Sequence, residues 1–167
     1  MPELYERSSR LLSRINLILA VLGACVLSVI ALIIFFEVFS RTFLGVSRLW
    51  VIEVAEYGLV YLTFLGAPYL LEKNQHVTID LIYDAVRSGP KLLLAVFNNT
   101  AGALLCLALA YAGLQVVLDQ AATGVREASV MAPQKYWISL IFPGVMLLMA
   151  LQFAGKLLRT IVQAKGA

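Results

Sequence analysis

Residues Ile15–Phe36, INLILAVLGACVLSVIALIIFF, decide the fold: they form a 22-residue block without a single Asp, Glu, Lys or Arg. An α-helix rises about 1.5 Å per residue, so roughly 20 apolar residues cross the ~30 Å hydrocarbon layer of a bilayer. Lipid offers no partner for free backbone N–H and C=O groups, so the block must be a helix that satisfies them internally. Within it, Leu22-Gly23-Ala24-Cys25 is similar to a lipoprotein cleavage box. The residues after Cys25 nevertheless stay uncharged as far as Phe36, where a processed lipoprotein would turn polar. A signal's apolar core is also shorter, about 7–15 residues. The segment is therefore expected to stay as a first transmembrane helix.

Outward from this block, charged residues fence off three more. Leu92–Leu118 lies between Lys91 and Asp119, and Tyr136–Gly155 between Lys135 and Lys156. The remaining one, Tyr57–Leu71, has only 15 residues and spans only if it begins near Trp50 and takes Glu53 and Glu56 into its first turns. The expectation is an all-α integral membrane protein, one domain over residues 1–167, with spans at about 15–38, 50–71, 92–118 and 136–156. Composition agrees. The chain is 61% hydrophobic and 14% charged, with a mean hydropathy of +0.88, where soluble domains carry about a quarter charged residues. So much apolar sequence has no small soluble core in which to hide.

The net charge is +3, but the cations sit at the edges of the apolar blocks and form no patch, which excludes a nucleic-acid reading. Their distribution sets orientation instead. Arg7, Arg10, Arg14, Lys73, Arg87, Lys91, Lys156, Arg159 and Lys165 make nine on one side, against four (Arg41, Arg48, Arg126 and Lys135) on the other. The excess marks the cytoplasmic side, so both termini are expected in the cytoplasm. Between the second and third spans, His76, Asp80, Asp84 and Arg87 repeat at helical spacing while Val77, Ile79, Ile82, Tyr83 and Val86 lie largely away from them. With Thr78 as N-cap and Ser88-Gly89-Pro90 as terminator, residues 77–88 read as a short amphipathic helix on the cytoplasmic surface. Its polar stripe is read as a solvated face.

No span carries a His–carboxylate–hydroxyl set, a phosphate loop or a metal cluster, so no catalysis and no cofactor are expected. The single histidine, His76, is outside the spans, which argues against a haem-handling redox anchor. Cys25 and Cys106 have no CxxC partner and read as small packing residues. The notable groups lie near the outer ends of the first two spans. Glu37 and Arg41, four apart, can pair on one face. Glu53 and Glu56, three apart, share a face that continues through Val60, Thr63 and Ala67, too small and polar for lipid. A carboxylate at the bilayer centre costs roughly 2.5–3.5 kcal/mol, less near the interface. These glutamates therefore either fix the chain to another protein or close a network with Arg41 and Arg48. Two rows of small residues, Ala20-Ala24-Ser28 and Gly102-Cys106-Ala110, allow close helix approach. Pro68 and Pro143-Gly144 are expected to bend the second and fourth spans.

Several pieces in order resemble one family. Trp50-x-x-Glu53-x-x-Glu56, Phe64-Leu65-Gly66-Ala67, His76-Val77-x-Ile79-Asp80 and Ser129-x-x-x-Pro133-x-x-Tyr136 before Pro143-Gly144 are similar to the small membrane subunit of tripartite ATP-independent periplasmic (TRAP) transporters. Arg41-Thr42-Phe43 looks like that family's Arg-Tyr-x-Phe run, with Thr42 replacing the tyrosine, and Glu72 stands where a basic residue is common. The resemblance covers about residues 37–150. It implies an accessory scaffold in the bacterial inner membrane, flanking a large membrane subunit that imports an organic anion or similar solute. Sodium would bind on that large subunit, and a periplasmic binding protein would deliver the solute. Glu37, Arg41, Arg48, Trp50, Glu53, Glu56, Gly66, His76 and Asp80 are then the candidates for a subunit interface or structural network. The competing reading is a self-sufficient homodimeric four-helix exporter that couples cationic drugs to protons through an intramembrane Glu.

Overall fold

The computed structural model describes residues 2–73 and 88–165, and the side chains of 10–73 and 93–162. The expected amphipathic helix, with His76 and Asp80, lies outside the described residues apart from Ser88, the first residue of the following helix. Among the described residues there are five helices: α1 Pro2–Leu44, α2 Trp50–Glu72, α3 Ser88–Thr123, α4 Lys135–Ser139 and α5 Ile141–Lys165. Four stretches are long and apolar enough to cross a membrane, the last comprising α4 and α5 together. The chain is an all-α, multi-pass membrane protein.

Helix boundaries follow from local chemistry. α1 runs 43 residues, well past the expected 15–38, because its Arg-, Glu- and Leu-rich flanks are good helix formers and no glycine or internal proline interrupts the last turns. It stops where Gly45 turns to φ +68°, a left-handed position that costs glycine nothing. α3 stops in the same way at Gly124, φ +62°, whose N–H returns to the Gln120 carbonyl at 3.1 Å. The fourth span is broken between Ser139 and Ile141. Pro143 has no N–H for the Ser139 carbonyl, so the helix restarts there with proline in its first turn.

The helices pack as α1 on α2, α2 on α5 and α5 on α3, so α2 and α5 form the joint between two tighter pairs. In α1 the buried positions Asn16, Gly23, Ile30 and Glu37 recur every seven residues. In α3, Asn99, Cys106, Ala110 and Val117 line the buried side. Such spacing keeps one seam facing its neighbour along gently supercoiled helices. Glycine sets the distance at each crossing. A Cβ on Gly58 would stand 2.5 Å from Ile30 Cδ1, one on Gly102 2.8 Å from the Phe153 ring, and one on Gly113 2.6 Å from Phe142 Cδ1.

The Gly102-Cys106-Ala110 row therefore packs as its spacing predicts, but the expected α1 row does not. Ala24 and Ser28 are exposed, and the Ser28 hydroxyl donates to the Ala24 carbonyl of its own helix at 2.9 Å. The adjacent row through Gly23 is buried instead, because Leu62 and Leu65 of α2 fill the space over Gly23, a position with no side chain of its own. Gly66, a candidate interface residue, has open space where its Cβ would be.

These contacts separate structural glycines from tolerant ones. Gly102→Val is expected to push α3 off Phe153 and destabilise the fold by about 1–3 kcal/mol. Gly66→Ala should leave stability unchanged or slightly raised. Thermal unfolding of the two variants in one detergent distinguishes them.

Candidate functional site

Polar groups gather at two levels of the helix array: the end that carries the α1–α2 and α3–α4 connections, and the end that carries the termini. At the connection end, Glu37 is 8% exposed, yet its partner is not Arg41. Its Oε1 accepts the Ser47 hydroxyl and the Arg48 backbone N–H, both at 3.0 Å. The buried Ser40 hydroxyl donates to the Val46 carbonyl at 3.3 Å. Together they fold the 45–49 connection back onto α1. Arg48 lays its guanidinium 5.3 Å from the centre of the Phe36 ring, and among the described residues neither it nor Arg41 forms an ion pair.

Glu53 and Glu56 part company. Glu53 Oε1 accepts the Val130 N–H at 2.6 Å and Oε2 accepts the Met131 N–H at 3.0 Å, so one carboxylate holds two consecutive amides of the 124–134 connection. A carboxylate aimed at backbone N–H groups makes shorter, stronger bonds than a neutral acceptor. Ser129 completes the turn: its Oγ accepts the Ala132 N–H and the Tyr57 hydroxyl, both at 3.2 Å. Ala132 sits at φ 43°, a left-handed conformation uncommon for a residue with a side chain. The segment is further closed by Glu127 N–H to the Pro133 carbonyl at 2.9 Å and by the ion pair Lys135–Glu127 at 3.4 Å. Glu56, on the neighbouring face, is exposed. Thus the expected network of both glutamates with Arg41 and Arg48 is not formed: backbone amides, available wherever a turn leaves them unpaired, replace the arginines.

Glu53 starts a line of contacts down α2. Tyr57 reaches Ser129, the Tyr61 hydroxyl donates to the Trp137 carbonyl at 2.6 Å, and Phe64 meets Phe142 edge to face at 5.4 Å. The line ends at the buried Leu71, whose carbonyl accepts the Lys156 ammonium of α5. Spacings of four, four, three and seven place these residues on one stripe, which meets in turn the 124–134 connection, α4 and α5. Trp50, first residue of α2, and Trp137 remain exposed, with Trp137 stacked on Tyr136 at 5.3 Å. Tryptophan and tyrosine favour this level of a membrane protein, where rings meet both lipid and water.

At the termini end lies a knot that the sequence reading missed. Asn16, 1% exposed, donates to Glu72 Oε2 at 2.6 Å and accepts from Gln152 Nε2 at 2.8 Å. Three helices, α1, α2 and α5, meet in this one amide. The signal was present: Asn16 and Gln152 are the single amide side chains of their apolar blocks, and buried polar groups demand partners. Which partners they find is set by helix packing.

Among the described residues no group of three or more His, Cys, Asp or Glu is placed to hold a metal ion. The ionisable groups inside the spans mostly tie segments together: Glu37 and Glu53 to connections, Glu72 and Lys156 across helices. The architecture is that of a multi-pass helical membrane subunit whose polar groups fasten helices and turns. The chain belongs to the DctQ component family of tripartite ATP-independent periplasmic transporters, which matches residues 30–163. That family is a component of transporters, which is not an enzyme class. The chain is also 25% identical over 119 residues to the ectoine TRAP transporter small permease protein TeaB of Halomonas elongata. That match takes in 71% of this chain and 60% of the relative's length.

Breaking either polar centre has a defined consequence. Glu53→Gln keeps the size of the side chain but removes its charge and one acceptor oxygen. Faster hydrogen exchange at the Val130 and Met131 amides is expected, with the core of α3 unchanged. Asn16→Ala should lower global stability by about 1–3 kcal/mol, the cost of leaving buried partners unpaired.

Proposed function

We propose that this chain is a scaffold in the bacterial inner membrane, with both termini cytoplasmic, for sodium-driven uptake of an organic anion or similar solute. A large membrane subunit carries the solute and the sodium, and a periplasmic binding protein delivers the solute to it. No cofactor acts in this chain. The observation that carries this reading is the use made of Glu53. In a transporter that acts alone, an intramembrane carboxylate is kept available to an ion near the midplane. Here it is locked onto two backbone amides at one end of the span, and Glu37 is likewise bonded to a turn. The same engagement of Glu37 speaks against the proton-coupled exporter.

The orientation rests on the nine-to-four distribution of Lys and Arg. Under it, the turn held by Glu53 faces the periplasm, on the side from which a binding protein arrives.

Reconstitution tests the proposal. Proteoliposomes with both membrane subunits and the binding protein should accumulate solute when an inward sodium gradient is imposed, and omission of any one component should abolish uptake. Uptake by this chain alone would refute the scaffold reading. Activity of a cytoplasm-dependent fluorescent reporter fused to the C-terminus checks the topology.

A further inference from the structure

The two neighbouring glutamates of α2 differ in one decisive respect. Glu53 is turned towards the 124–134 connection, and Glu56 is turned outward. On the helix surface Glu56 is surrounded by Ile52, Leu59, Val60 and Thr63, all exposed. This face is neither the α1-facing side, marked by Gly58 and Leu62, nor the stripe of Tyr57, Tyr61 and Phe64 that meets the 124–134 connection, α4 and α5. Glu56 is its single charge, and among the described residues nothing donates to it. The Thr63 hydroxyl, the other polar group of the face, donates to the Leu59 carbonyl of its own helix at 2.9 Å and leaves the carboxylate unserved.

Six residues separate Glu56 from Trp50, about 9 Å along the helix axis and inwards from the aromatic level. Lysine and arginine stems can reach back to water from such a depth, but a glutamate side chain is too short to do so comfortably. A carboxylate displayed among apolar side chains at this depth calls for a cationic donor from outside the chain.

From this lone carboxylate on an otherwise apolar, exposed face we infer that the Ile52–Glu56–Thr63 face of α2 docks against a helix of the large membrane subunit, and that an Arg or Lys of that helix pairs with Glu56. The assignment rests on the scaffold reading above and locates the contact that reading requires. Arginine suits the site best, since its planar fork matches a carboxylate in two parallel bonds.

The test uses the full chain co-expressed with the large membrane subunit and purified through a tag on the small one. Wild type recovers the large subunit. Glu56→Lys is expected to reduce its recovery by roughly tenfold or more, because two cations then meet in a desolvated contact. The same variant purified alone keeps wild-type thermal stability, since among the described residues no side chain or amide bonds to Glu56. Exchange of the partnering Arg or Lys to Glu restores recovery of Glu56→Lys. A photoreactive residue at Thr63 crosslinks to the large subunit. Undiminished recovery of Glu56→Lys would overturn the assignment, as would crosslinks from position 63 confined to lipid or to a second copy of this chain. Failure of the wild-type chain to retain any large subunit would overturn the scaffold reading itself.

Discussion

The seam between α2 and α5 joins the two halves of the molecule, and its composition is set by a constraint of the bilayer: no polar group inside can look to solvent for a partner. The α1–α2 and α3–α5 pairs are each welded by glycine-mediated close contact, a short-range dispersion interaction that needs no polar atoms. The joint between them works differently. Phe64 meets Phe142 within it and Lys156 of α5 donates to the Leu71 carbonyl at one end, while beyond the other end Glu53 and Tyr57 bond to the 124–134 connection that leads into α4. Directional bonds at the two ends fix the register of the pairs in a way that apolar contact alone cannot, since lipid competes equally for apolar surface.

That arrangement accounts for most of the ionisable groups inside the spans. Two carboxylates at the connection end, Glu37 and Glu53, each replace a missing structural element. Glu37 serves as the acceptor for a five-residue turn, and Glu53 serves as the acceptor for two amides that no strand or helix engages. The left-handed Ala132 is the price of directing both amides at one carboxylate. Glu56 then stands apart as the charge for which the fold supplies no use.

Much of the architecture was legible from the chain alone. Four apolar stretches, the Gly102-Cys106-Ala110 seam and the break before Pro143 all follow from hydropathy, residue size and a missing N–H. These are local properties, read one helix at a time. The importance of the outer-end carboxylates was also visible, because charge in an apolar run is costly wherever it lies. Their partners were not. Arg41 and Arg48 were the natural choice by charge, but the turn amides of Arg48, Val130 and Met131 took their place. A sequence records side-chain charge, whereas an unpaired backbone donor exists only once the turn has formed.

Sequence by itself determined that the chain is a four-span helical membrane protein and pointed to its family, because the bilayer imposes length and apolarity on each span independently. Tertiary structure decided which row of α1 is buried, that Asn16, Glu72 and Gln152 meet across three helices, and that Glu53 faces in while Glu56 faces out. Residues three apart on a helix differ in direction by about 60°. Whether that angle separates an internal tie from an external contact depends on where the neighbouring helix stands, and no property of α2 alone specifies it.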